Sequence, residues 1–542
     1  MNAPLVSIAP SRFPSIDVDA LAACLHENAE LALVDVREEG GIAGDGHIIF
    51  SVPLPLSRLE LRAGSLLKRR AVPIVVTDSG PGDLAARAAA KLAELGFVDV
   101  SLLSGGVAAW AASGREVYTG SGAYSKAFGE FVEHAYGTPH ISAEEFKGRV
   151  DAGERIVVLD GRTLQEFENF SVPGAHAVPN AELPLRAHDL ITSPDDLVVV
   201  NCAGRTRSII GAQALINAGL PNKVVALENG TMAWLANGWS LEHGRQAELQ
   251  PPSNAALAQA KAAVAQLSHR FALSWIDEAA LDRFRSEAEQ RSLYVYDVRS
   301  KAEFEAGHLP DAHWAEGGQL VQGVDRWVGA RNARIVVVDD EVGVRAAITA
   351  SWLVQLGWGE VHALAVWQTG EGRLAGPDRP PLLRAPPSVE TIAPAALKHE
   401  LDAGAVTVID LDTSLAYASG HIPGARFAVR ARLDVSRDIE GGSAIVLTSA
   451  DGILAAFAAA ELAPRTGRSV RVLAGGTQAW RAAGLPLETG ETALIHDADD
   501  VWRSPYQKSG DRLAAFKAYL DWEIGLLAQI ERDPDLSFKV FP

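Results

Sequence analysis

Cys202 is one of two cysteines in 542 residues, and its neighbours give it chemical meaning. It opens the run Cys202-Ala203-Gly204-Arg205-Thr206-Arg207. The β-branched residues Val198, Val199 and Val200 before it read as a buried parallel strand. After it, Ile209, Ile210, Leu215 and Ile216 follow helical spacing from Ser208, and Gly219 with Pro221 stops the helix. A six-residue loop between a strand end and a helix start turns its backbone N–H groups inward, toward the positive end of the helix dipole. The amides of Ala203, Gly204, Arg205, Thr206, Arg207 and Ser208, with the two guanidinium groups, would stabilise a thiolate at the head of the loop. Such surroundings are expected to lower the thiol pKa and to leave the sulfur partly exposed. The arrangement reads as a nucleophile in an anion cradle. Cys24, within Leu21-Ala22-Ala23-Cys24-Leu25, has no such context and reads as a core residue of a helix.

The elements that must position this loop recur four times. A strand ends in an acidic residue at Asp35, Asp160, Asp297 and Asp410, followed two residues on by Arg37, Arg162, Arg299 and, in the last copy, Asp412. A turn follows, at Gly46-His47, Pro173-Gly174-Ala175, Gly307-His308 and Gly420-His421, and then a second apolar strand through Ile74, Val198, Val336 and Ile445. Copies one, two and four close on Gly105-Gly106…Trp110, Asn229-Gly230…Trp234 and Gly475-Gly476…Trp480; the third is worn to Ala365-Val366-Trp367. Strands alternating with helices predict an α/β fold, each copy a mostly parallel sheet with helices on both faces. Ligands of such sheets bind beyond the strand carboxyl ends, where Cys202 falls. Turn-rich stretches near Gly120-Ser121-Gly122, Gln250-Pro251-Pro252-Ser253 and Arg379 to Pro387 divide the chain into domains 1–120, 121–250, 251–385 and 386–490. A tail, 491–542, remains. In it Leu513, Phe516, Leu520, Ile524 and Leu527 outline an amphipathic helix after the aromatic run Val501 to Tyr506, which either packs back onto a repeat or makes a dimer contact.

Counting along the second strand aligns Cys202 with Asp78 in the first copy, Asp340 in the third and Ser449 in the fourth. The two aspartates would set negative charge where an anion should bind, and Ser449 has no base beside it. Only the second copy is equipped for thiol chemistry.

Composition narrows the field. A net charge of −19 argues against a nucleic-acid or anionic-membrane partner. Two unrelated cysteines build no disulfide framework and suit a reducing compartment. The N-terminal run from Met1 has no secretory pattern, and no apolar stretch is long enough for a membrane span, so a cytoplasmic location is expected. The histidines show no metal-ligand spacing, and His47, His308 and His421 read as turn or surface residues. No metal or other cofactor is called for. Asn180-Ala181-Glu182 reads as a solvated loop, and Gly120-Ser121-Gly122 lacks the pattern of a phosphate loop.

The strand end Asp160-Gly161-Arg162, the Pro173-Gly174-Ala175 turn, the Cys202 loop and the Asn229-Gly230…Trp234 turn together resemble the rhodanese sulfurtransferase family. The resemblance covers all but the tail, and in three copies it is to fold signatures alone; the whole looks like a tandem four-domain rhodanese with one active domain. It implies a thiolate that takes the outer sulfur of thiosulfate or a related donor as a persulfide and hands it to cyanide or a thiol. Arg207 and Arg205 would dock the anionic donor. Asp160 and Arg162, repeated in copies without the cysteine, would order the loop, with Glu166 pairing with Arg162 across one helical turn. The second copy departs from the family turn, carrying Phe170-Ser171-Val172 where the others have Gly-His. Two other readings stay open: a cysteine-dependent phosphatase, whose arginine would sit at Ser208 rather than Arg207, and a redox-sensing scaffold whose inactive repeats bind a protein partner.

Overall fold

The alternation of β-branched runs with helical segments becomes four parallel sheets. The computed structural model describes residues 12–366, 372–439 and 444–542; the run from Met1 and Trp367 lie outside the described residues. Counted along the chain, the five strands of every domain line up as 1-5-4-2-3. All the pairings are parallel, as crossover connections through helices require. The chain starts near one edge, builds outward through strands 2 and 3, then returns through 4 and 5. The direction therefore reverses between strands 2 and 4, and the crevice at their carboxyl ends is the switch point of the sheet.

In the second domain strand 2 is Ile156–Asp160 and strand 4 is Leu197–Asn201, paired so that Asp160 lies opposite Asn201. Strand 4 is apolar on both faces because both are covered. Val198 and Val200 pack toward Ile209, Ile210 and Leu215, whereas Val199 joins Phe146, Phe167 and Trp234 on the opposite side. The recurrent tryptophans hold the last helix of three domains in place: Trp110, Trp234 and Trp480 each donate an indole N–H to a carbonyl six residues on.

Helices Ala123–Tyr136 and Asn254–Arg270 precede the second and third sheets and stitch domains together. The first packs on helix Thr206–Asn217 and on the tail; the second packs on Leu183–Leu190 and Val344–Leu356. One continuous apolar core runs through the first three domains, while the fourth keeps its own clusters. A buried Arg430–Glu60 pair, 2.8 Å in both contacts, joins the fourth domain to the first. Among the described residues no helix is long and apolar enough to cross a membrane.

Three expectations need correction. The tail forms a helix, Arg512–Arg532, but its buried face is Phe516, Glu523, Leu526 and Ile530, while Leu513 and Ile524 are exposed. An acidic residue sits at the centre of the buried face, which apolar spacing alone does not reveal. His47, His308 and His421 are buried rather than superficial; His308 stacks on Phe304 at 3.8 Å and His421 on Tyr417 at 3.7 Å, each ring bonded to a carbonyl one turn back. Asn180–Glu182 is a buried 3-10 turn, not a solvated loop, because the Asn180 amide donates to the Arg207 carbonyl at 3.0 Å. Cys24 is a half-buried residue of helix Val18–His26 packed against the core.

Candidate active site

Cys202 follows strand 4 directly, and helix Thr206–Asn217 begins two residues earlier than the apolar spacing implied. The Arg205 carbonyl accepts from the amides of both Ser208 and Ile209 at 3.1 Å, which tightens the turn. The Cys202 carbonyl accepts from the Thr231 amide at 3.0 Å. This contact explains the glycine of the recurring turn: Gly230 has φ +50°, and a Cβ there would lie 2.2 Å from the Cys202 oxygen. The thiol donates to Ser208 Oγ at 3.6 Å, and the Ser208 hydroxyl in turn donates to the Arg205 carbonyl at 2.7 Å.

The sulfur is less accessible than its context suggested. Cys202 is only 2% exposed, and burial pushes its thiol up from the ordinary value, with Glu523 adding to the rise while Arg207 and Ser208 oppose it. The expectation of a depressed pKa and a partly open sulfur therefore fails for this closed arrangement, because a cover that the loop sequence does not contain lies over it.

The charged residues sort into separate pairs. Asp160 and Arg162 are fully buried and bidentate, at 2.9 and 2.8 Å, and Arg162 also donates to the Phe170 carbonyl at 2.6 Å. Asn201 donates to the second Asp160 oxygen at 2.9 Å. The same pair recurs as Asp35–Arg37 and Asp297–Arg299, in each case tied to the carbonyl of the following turn. It braces strand 2 against that turn. Glu166 does not take Arg162. It closes a capping box with Thr163 and holds Arg207 through two contacts of 2.7 Å. Arg207 holds the Glu166 carboxyl down, to about 2. The site face of this pair is the Glu166 side, which is 38% exposed. Arg205 turns the other way. It is bidentate to Glu130 at 2.7 and 2.9 Å, also meets Glu133, and reaches Asn229 at 3.4 Å.

The cover comes from the tail. Thr206 donates its amide, at 3.3 Å, and its hydroxyl to Glu523 Oε1. Tyr519 and Glu523 lie flat over the loop, so that a Cβ on Gly204 would sit 3.3 Å from each. The Tyr506 hydroxyl bonds Thr231 Oγ1 at 2.6 Å and reaches the Ala203 carbonyl at 3.4 Å. Its ring packs 4.9 Å from Phe170, the residue that replaces the glycine of the other three turns. Buried Lys126 faces Glu523 from the Ala123–Tyr136 helix; burial pulls its amine down and the carboxylate resists. None of Tyr506, Tyr519 and Glu523 follows from the loop sequence; the aromatic run ahead of the helix is the only local sign of them.

The other three loops show what replaces the nucleophile. Strand register puts Asp35 opposite Thr77 and Asp410 opposite Thr448, but Asp297 opposite Val338. The counterpart of Cys202 in the third domain is thus Asp339, not Asp340, since it follows the residue paired with the strand-2 aspartate and strand 4 there, Arg334–Asp339, includes it. Asp78 accepts from the amides of Gly80 and Ala85 at 2.8 and 3.0 Å. Asp339 accepts from Arg345 and Ala346 at 2.8 and 3.0 Å, and Ser449 Oγ accepts from Ala455 at 3.3 Å. Each caps the helix that follows it. Among the described residues no group of three or more His, Cys, Asp or Glu is placed to hold a metal ion.

A thiol at the switch point of a parallel sheet, heading a loop that runs into a helix N-terminus, marks a class of α/β protein built on a strand–loop–helix turn. The rhodanese-like domain matches residues 17–113, 142–237, 280–365 and 393–483, and the chain belongs to the rhodanese family, with four domains in tandem. Over 98% of its length, and 100% of the other chain, it is similar to the crystal structure of thiosulfate sulfurtransferase from Pseudomonas aeruginosa, with 42% identity and a TM-score of 0.92. Over an alignment of 134 residues covering 23% of the chain and 71% of the other, it is 31% identical to the putative sulfur carrier protein YrkF of Bacillus subtilis (strain 168). The protein is a rhodanese-type transferase.

Proposed function

We propose that the second domain transfers sulfur from thiosulfate through a persulfide on Cys202. The observation that carries this reading is the contrast among the four loops: the position held by Asp78, Asp339 and Ser449 as helix caps is a thiol only at Cys202. Likeness along the whole chain to a thiosulfate sulfurtransferase supports the choice of donor.

The chemistry follows from the groups present. Deprotonated Cys202 attacks the outer sulfur of thiosulfate; the sulfur–sulfur bond of the donor breaks and its electrons leave on sulfite. A persulfide remains on Cys202. Cyanide or a thiolate then attacks the outer persulfide sulfur and restores the Cys202 thiolate. Ser208, whose hydroxyl accepts the hydrogen bond of the thiol in the resting site and turns to donate to a thiolate, stabilises the anionic sulfur together with the loop amides. Arg207 docks the donor, because its ion-pair partner, Glu166, lies at the accessible edge. Arg205, enclosed by Glu130 and Glu133, positions the loop instead. A loop this short suits a single terminal sulfur better than the three peripheral oxygens of a phosphoryl group.

Intact-protein mass spectrometry after incubation with thiosulfate tests the proposal. The wild-type chain should gain one sulfur atom and lose it on adding cyanide, while Cys202→Ser should gain none. Cys202-dependent release of phosphate from a phenyl phosphate, faster than release of sulfite from thiosulfate, would overturn the assignment.

A further inference from the structure

The first turn of the helix after strand 4 carries an oxygen acceptor in every domain. In the first and third it is the carboxylate of Asp78 or Asp339, fixed on the loop itself. In the second, where the loop residue is Cys202, the carboxylate arrives from the tail: Glu523 takes the Thr206 amide and hydroxyl. Glu523 is only 1% exposed, and its second oxygen is buried without a well-aligned donor, although the Tyr519 phenol stands beside it. A buried carboxylate whose second oxygen is met by no well-aligned donor, with the Lys126 amine facing it, is a held but displaceable anion. It lies within electrostatic reach of Cys202, over the glycine of the loop.

We propose that Glu523 occupies the place of the anionic end of the sulfur donor, and that the tail segment carrying it is a lid over Cys202. Glu523 is then a specificity-determining residue: an anionic donor must displace it, whereas a neutral reagent need only pass the lid. The identity of the donor rests on the sulfur-transfer reading above; the occupancy by Glu523 does not.

The seat of the lid is particular to this domain. Phe170 stands where the other domains have Gly46, Gly307 and Gly420, and it receives Tyr506. Tyr506 in turn packs on Phe516 at 4.8 Å, linking the aromatic run to the helix. The far end of the tail is pinned separately. Phe538 lies 5.4, 5.1 and 5.3 Å from Tyr124, Phe128 and Phe131. The lid therefore has a firm anchor beyond the helix and a lighter, hydroxyl-bonded contact over the loop.

Alkylation of Cys202 in the full chain, in a Cys24→Ser background, tests this with iodoacetate as the anionic probe and iodoacetamide as the neutral one. The ratio of the two rates cancels the thiolate fraction. In the parent chain the iodoacetate-to-iodoacetamide ratio should be about ten-fold or more below that of a free thiol such as N-acetylcysteine, as expected for a carboxylate close to the sulfur. Glu523→Gln keeps an acceptor for Thr206 and removes the charge; it should raise the ratio about ten-fold. Tyr506→Phe, which loses the hydroxyl bonds alone, should raise both rates together and leave the ratio unchanged. A parent ratio equal to that of the free thiol overturns the proposal without any variant. So does a Glu523→Gln chain in which both rates move equally or neither moves. No sulfur transfer enters these rates, so a chain that took no sulfur from thiosulfate would sink the proposed function and leave this result readable.

Discussion

The second and third domains use one frame to opposite ends. In both, a glutamate in the capping box after strand 2 holds an arginine from the turn after strand 4: Glu166 with Arg207, and Glu303 with Arg345. Both glutamates are held down to about 2 by their arginines. In the third domain the arginine is 0% exposed and enclosed by Asp339 at 2.9 Å, Asp340 at 2.7 Å, Glu303 at 2.8 Å and Glu182 of the second domain at 3.0 Å. In the second domain its ion-pair partner among the described residues is Glu166, on the accessible side. The same ion pair is a staple when closed on all sides; open on one side, it is the docking point proposed for the donor. The loop residue follows suit. Where the arginine is enclosed, the loop carries an aspartate that caps its helix; where one edge is open, it carries a thiol.

The largest expected effect lies on the staple. Arg345→Leu leaves Asp339 buried without its cation and cuts the tie to Glu182, and should destabilise the chain by about 3–5 kcal/mol, read by denaturant unfolding. Thiosulfate turnover by the protein that remains folded should persist, since Cys202, Arg207 and their direct partners are untouched. Arg207→Ala should do the reverse. It should raise KM for thiosulfate by about 10- to 100-fold, the loss expected for one bidentate charge-assisted contact. Arg205→Ala sharpens the split: its guanidinium is committed to Glu130, so it should lower stability more than it raises KM. Equal KM effects from the two arginines would erase the distinction.

Much of this was legible in the residues. The Asp-x-Arg strand ends, the glycine–tryptophan turns and the Cys202 loop each encode a local geometry, and local geometry repeats with the sequence. Gly230 is needed by the approach of the Cys202 carbonyl, and a glycine at that place is readable in a single copy. The partners of Arg205 and Arg207 were not legible, because Glu130 and Glu166 are brought in by other helices and nothing near the loop chooses between them. Two adjacent aspartates, Asp339 and Asp340, leave a count along the strand ambiguous by one, and only the pairing register separates them. The lid was hidden for a further reason: a helix is read by its apolar stripe, and Glu523 lies on the buried face because it meets a helix N-terminus, not a hydrocarbon surface.

The smallest effect is also the one with a change of sign. The acidic residue that ends strand 2 is buried in all four domains, but the fourth has Asp412 where the others have arginine. Asp410 accepts the Asp412 amide at 2.9 Å and faces the Asp412 carboxylate; burial above all, and then that carboxylate, raises it to about 7. A carboxyl raised in the folded state binds a proton that the unfolded chain has already released. Stability therefore falls as pH climbs from the unfolded value of 3.8 through about 7, and the whole penalty is present above that. Asp410→Asn keeps an oxygen for the Asp412 amide and removes the ionisation. It should leave stability unchanged at acid pH and raise it by about 1–2 kcal/mol at pH 8, a figure that allows for relaxation around the buried charge. Asp160→Asn makes the same exchange at the same place in the second domain, where Arg162 would lose its bidentate partner. There the change should destabilise at every pH from acid to neutral, because a buried guanidinium is left without its anion. Unfolding curves for the two variants across that range should diverge in sign above pH 7; curves that move in the same direction would mean that the arginine, and not the burial, is irrelevant to the strand end.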